Sequence, residues 1–176
     1  MRPPFVTTIA SLALSANISA WAAPQDHSSH HSPYSGQQHR AIKSLSENDV
    51  AELRRGGGWG LAKAAELNGL PGPVHLLELK DEIALTPKQL TDIKALFNKM
   101  RSRAIPKGEQ LIALEKQLDH AFKSRRITAH RLNSLLSDIA QTRSELRFIH
   151  LSTHLQTPKI LTAEQISLYN RLRGYQ

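Results

Sequence analysis

The chain has no cysteine, two methionines among 176 residues, and aromatic side chains at only 5% of positions. Without thiols there can be no disulfides, no thiolate metal centre and no cysteine nucleophile, so stability has to come from packing or association. Two methionines also argue against a soft-ligand Cu(I) carrier. No GxxxxGK[ST] or GxGxxG context, no nucleophile elbow and no HExxH is present, and no stretch alternates with the period of two that a strand requires. Catalysis is therefore not expected. No apolar run reaches the roughly 20 residues that span a bilayer.

What is there begins with an export pattern. Arg2 gives a positive start, Phe5 to Ala16 is mostly apolar, and Ala20-Trp21-Ala22 offers a small-x-small cleavage site, so residues 1–22 read as a signal peptide cut after Ala22. The expected location is the periplasm. Formal charge is +8, one less once Arg2 is gone. A basic balance suits acidic protein surfaces, anionic lipid or nucleic acid, and export removes nucleic acid from that set. Residues 23–45, polar and carrying His27, His30, His31 and His39, read as a disordered arm.

Residues 46–176 read as one helical domain. Ser46 with Asp49 marks a helix start, and a helix from Glu47 to about Arg55 should end at Gly56-Gly57-Gly58. A short alanine-rich helical piece, Trp59 to Leu67, stops at Asn68-Gly69, and Pro73 opens another after Pro71-Gly72. The glycines from 56 to 60 read as a loop with no ligand. Leu90, Ile93, Phe97, Met100, Ala104, Leu111, Leu114, Leu118 and Phe122 follow at steps of three and four, with Lys107 filling a gap, a heptad seam. This predicts a helix from Pro87 to about Phe122, roughly 54 Å if straight. Pro106 and Gly108 should kink it, with a complete break as the alternative. After Lys123 to Arg126 the seam returns as Leu132, Leu135, Ile139, Thr142, Leu146, Ile149 and Thr153. The two long helices should double back as an antiparallel hairpin, followed by a final helix from Ala163 to about Arg173.

Two pentapeptides share one pattern, Leu85-Thr86-Pro87-Lys88-Gln89 and Leu161-Thr162-Ala163-Glu164-Gln165. Each reads as a capping box: the threonine caps the helix, the glutamine at its third position answers back, and Leu85 with Leu90 or Leu161 with Ile166 forms a hydrophobic staple. Ile127-Thr128-Ala129-His130-Arg131 is a partial third copy without the glutamine. In this pairing around a long helical hairpin, the chain resembles the Spy/CpxP family of periplasmic LTxxQ proteins, whose relatives include zinc-resistance-associated and heavy-metal-sensing members. The resemblance runs over about Ser46 to Tyr175. It implies an all-α fold of long antiparallel helices with short flanking helices, a cradle-shaped homodimer, and ATP-independent chaperone activity toward unfolded envelope proteins. A two-helix hairpin with short flanking helices cannot enclose a deep core alone, which is compatible with a partner surface.

Candidate client-binding cations are Lys94, Lys99, Arg101, Arg103 and Lys107 on the first long helix and Arg143 and Arg147 on the second, with a solvated outer face as the alternative. His150 and His154 stand one turn apart, a half-site for Zn, Ni or Cu(II) that Glu145 or a residue from elsewhere would have to complete; the alternative is two surface histidines flanking the seam. His27, His30 and His31 with Asp26 could hold a metal loosely, or belong to a soluble spacer. No cofactor is required. The function expected is an envelope-stress chaperone or adaptor, with a metal buffer or sensor second and a regulator docking on a membrane sensor kinase third.

Overall fold

The structure is a computed structural model that describes residues 32–175. Chain contacts set Met1–Ser35 apart from Gly36–Gln176, and the second unit is the helical body. The expected signal peptide lies outside the described residues. Among those residues the elements are helices: α1 Glu47–Arg55, α2 Lys63–Glu66, α3 Pro73–Glu78, α4 Pro87–Lys123, α5 Ala129–His154 and α6 Ala163–Leu172, with 3-10 turns at Gln37–His39 and Thr157–Lys159. Among the described residues no strand forms; an isolated bridge joins Ile42 and Leu45. None of these helices is long and apolar enough to cross a membrane.

The caps fall where the sequence puts them. Ser46 Oγ accepts from Asp49 N at 3.1 Å while Ser46 N donates to Asp49 Oδ2 at 2.8 Å, closing a capping box on α1. Thr86 and Thr162 close equivalent boxes with Gln89 and Gln165. Thr128 accepts from Arg131 N without a reciprocal bond, as its missing glutamine requires. Such a cap supplies a partner to one of the orphan N–H groups of the first turn.

α4 is the spine, 37 residues without interruption. The break considered at Pro106 does not occur. Pro106 removes a single N–H from the ladder, and both it and Ser102, whose carbonyl it frees, lie on the exposed face. Gly108 has a packing task beyond the kink read from the sequence. It is buried where α1 crosses α4, and a Cβ there would overlap the carbonyl oxygen of Leu53. Only glycine permits that approach.

α5 packs along α4 in the opposite sense, as Lys107 reaches Glu145 at 2.5 Å and Arg131 reaches Gln117 at 3.2 Å. On α5 the seam residues Leu135, Ile139, Thr142, Leu146, Ile149 and Thr153 are all buried. On α4 the buried set is wider than one seam, adding Leu96, Gly108, Ile112 and Glu115, because α1 and α3 pack on it as well as α5. Two apolar clusters result. One joins Leu53, Met100, Ala104, Leu111, Ile139 and Leu146 with Ile42 and Leu45; the other joins Leu76, Ile83, Ile93, Leu161 and Tyr169.

Ile42 and Leu45 correct the expected arm of residues 23–45. They are 7% and 3% exposed and belong to the first cluster. Beside them Ser44 Oγ donates to the buried Glu115 carboxylate at 2.7 Å, and Lys43 stands 3.8 Å from Asp119. The folded body thus starts before Ser46. Two aliphatics in a polar segment carry too little periodicity to reveal this in the sequence.

Candidate functional site

The two motif glutamines meet. Gln89 Nε2 donates to Gln165 Oε1 at 2.8 Å, and Gln165 Nε2 donates back to Gln89 Oε1 at 3.1 Å. Each amide oxygen also accepts from its own cap backbone, Thr86 N or Thr162 N, at 3.0 Å. Gln89 Nε2 further reaches Ile160 O at 2.9 Å, and Gln165 Nε2 reaches Ala84 O at 3.4 Å. This explains why the third helical position holds glutamine instead of glutamate. A carboxylate could still cap, but it has no N–H with which to cross to the other helix. Capping was legible in the pentapeptides; the reciprocal lock between them was not. Leu161 is buried and Leu85 half-buried beneath it, both in the second cluster.

Where the second cluster meets the end of α5 lie the two histidines, and both face inward. His150 is 2% and His154 5% exposed, so neither is the surface histidine of the alternative reading. His154 Nδ1 sits 2.8 Å from Leu70 O, a bond in which the ring N–H donates to the carbonyl. The backbone of Gly72 lies close against this ring: a Cβ there would come within 2.8 Å of His154 Cε1. Glu66 Oε2 stands 3.7 Å from His154 Nδ1. The other oxygen of Glu66 accepts from the Tyr169 hydroxyl and, at 3.4 Å, from Tyr175, with Arg173 Nε 3.8 Å away. Burial and the neighbouring Glu66 push the Tyr169 hydroxyl well up from its ordinary range, so it remains a donor.

Like Asn170 Oδ1 and Arg173 Nε, His150 Nε2 is buried without a hydrogen-bond partner. Burial, and then repulsion from His154, lower its pKa to about 4, which keeps the ring neutral near pH 7. Both histidines line a cavity of about 690 Å³ whose wall includes the Gly56 to Gly60 turn, Trp59, Phe97 and Met100. The glycine-rich segment read from the sequence as a loop without a ligand is part of this wall.

As metal ligands the sequence candidates separate. Glu145, the suggested third ligand to His150 and His154, pairs with Lys107 and accepts from Gln141 at 2.7 Å instead. Among the described residues no group of three or more His, Asp or Glu side chains is placed to hold a metal ion. His27, His30 and His31 lie outside the described residues.

The cations also divide. Lys94, Lys99, Arg103 and Arg147 are exposed. Arg101 Nε donates to Arg55 O at 3.1 Å, tying α4 to the end of α1, and lines the cavity. Arg143 lies over the Trp59 ring at 4.8 Å and 4.0 Å from Glu115. Arg103 and Lys107 line a second, more open groove of about 620 Å³ together with Pro106, Phe148 and Ile149. Phe148 is 64% exposed there, and Leu155, two turns further along α5, is 62% exposed.

No protein-family model, curated protein or solved structure matches the chain. The surfaces themselves carry what can be said of function: a groove that joins cations to an exposed aromatic ring, and a cavity with one unpartnered nitrogen.

Proposed function

We propose that the protein is a periplasmic, ATP-independent chaperone or envelope-stress adaptor of the LTxxQ type, binding unfolded envelope proteins without catalysing a reaction. The observation that carries this reading is the exposure of Phe148 beside Arg103 and Lys107 on the outer side of the α4–α5 pair. An apolar side chain left in water at a cost, beside the exposed Arg103 and a Lys107 that pairs with Glu145, suits weak capture of segments that are apolar and acidic by turns. The paired capping boxes support the Spy/CpxP likeness, and with it an elongated hairpin that works as a cradle-shaped dimer.

The test is suppression of aggregation of a reduced, unfolded client, followed by light scattering with EDTA present and no nucleotide. Protection should fall with added salt, because screening shortens the reach of the cations. It should also fall in a Phe148→Ser, Arg103→Gln variant whose circular dichroism is unchanged. Absence of protection at any stoichiometry would end this reading.

A second reading, a Zn, Cu or Ni buffer or sensor, has one observation in its favour: the unpartnered Nε2 of His150, one turn from His154. Calorimetric titration with Zn(II) and Cu(II) tests it, since stoichiometric binding should disappear in a His150→Ala, His154→Ala variant. If neither protection nor metal binding is found, docking on a sensor kinase becomes the leading alternative.

A further inference from the structure

We infer that the cavity behind the glycine-rich turn is a binding site for a small apolar anion, an aromatic or branched aliphatic carboxylate, separate from the surface proposed for unfolded clients. Its volume, about 690 Å³, falls within the range of cavities that enclose ligands of drug size. Trp59, Phe97 and Met100 give it apolar walls suited to a flat or branched hydrocarbon body.

One feature indicates that the cavity is built and not a packing fault. Trp59 holds a left-handed backbone, φ 44°, which a bulky residue adopts at a cost. That conformation is fixed from both sides, since Trp59 Nε1 donates to Asp49 Oδ1 at 2.8 Å and Arg143 covers the ring. The strained turn thus presents its tryptophan to the cavity.

The sign of the ligand follows from which charges are already satisfied. Every carboxylate in the wall has a partner: Glu52 pairs with Arg55, Glu78 with His75, and Glu66 with the Tyr169 hydroxyl. The cations do not balance in the same way. Lys63 and Arg101 line the cavity and form no ion pair with a described residue, Arg101 spending only its Nε on Arg55 O. A carboxylate between them would gain charge-assisted hydrogen bonds, with the forked end of Arg101 free to receive it.

The experiment uses the chain carrying Trp21→Phe, in which Trp59 is the sole tryptophan. Its emission is followed during titration with 1-naphthoate and, separately, with the neutral 1-naphthylmethanol, which has the same ring system. The expected result is saturable one-to-one binding of naphthoate, with the alcohol weaker by about tenfold or more, the weight of one good charge-assisted contact. Lys63→Gln and Arg101→Gln should each weaken naphthoate and leave the alcohol unchanged. Lys63 is exposed and makes no structural contact that its loss would break, so this variant keeps the test valid if Arg101→Gln disturbs folding. Failure of naphthoate to saturate by millimolar concentration would overturn the proposal. So would equal affinity for acid and alcohol. Displacement of naphthoate by a reduced client, with no preference for the anion, would assign the cavity to client side chains and overturn it as well.

Discussion

The motif end of the molecule half-buries its polar side chains and the cavity end buries them, and the two treat them in opposite ways. At the junction of α4 and α6, Gln89 and Gln165 satisfy each other and the surrounding backbone, so the amides act as a fastener. At the end of α5, His154 is fixed by Leu70 while His150 is left with a bare nitrogen. A polar group with all its bonds made stabilises one arrangement, whereas a buried group lacking one costs stability.

The largest effect that would break the comparison is on the closed end. Tyr169→Ala removes a fully buried ring and should cost about 3–5 kcal/mol in chemical denaturation. A loss under about 1 kcal/mol would mean that the second cluster is not a packed core.

Next is pH. His150 titrates at about 4 in the folded chain and near 6.5 when unfolded, so the unfolded state binds the extra proton first and stability falls as pH drops through that window. The expected loss between pH 6.5 and 4 is roughly 3 kcal/mol. It should be absent in His150→Phe, which isolates it from carboxylate titration. Parallel denaturant midpoints for the two proteins would place His150 among the satisfied groups.

Whether the glutamines act as a unit sharpens the contrast further. Gln89→Ala and Gln165→Ala should each cost about 1–3 kcal/mol, and the double variant less than their sum, since either single change strands the partner's amide. Additive costs in a double-mutant cycle would reduce the lock to two independent caps. Smallest is Thr86→Ala, about 1 kcal/mol, measurable as fraying of the first turn of α4 by amide exchange.

Much of the fold was legible because helix signals are local. Ser46, Thr86 and Thr162 announced their helices, and the α5 seam from Leu135 to Thr153 matched its buried face, since one neighbouring helix, α4, covers most of it. The α4 seam matched only in part. Leu96, Gly108 and Ile112 face α1 and α3 as well, and periodicity along one helix does not reveal how many neighbours it has. Gly108 read only as a kink because a glycine in a helix signals a weak backbone; its packing task is set by Leu53, far away in sequence. The candidate site was legible as a pair of histidines, not as a cavity. Its walls come from the turn around Trp59, from α4 and from the end of α5, and no spacing rule joins them.

The uninterrupted run of α4 past Pro106 carries a mechanical consequence. Ile93 belongs to one apolar cluster while Met100, Ala104 and Leu111 belong to the other, so a single rod is shared by both. Opening at one end removes packing that the other end shares through α4. Loosening the glutamine fastener should therefore speed amide exchange as far away as the turn at residues 124–128, the two ends opening together in one cooperative event.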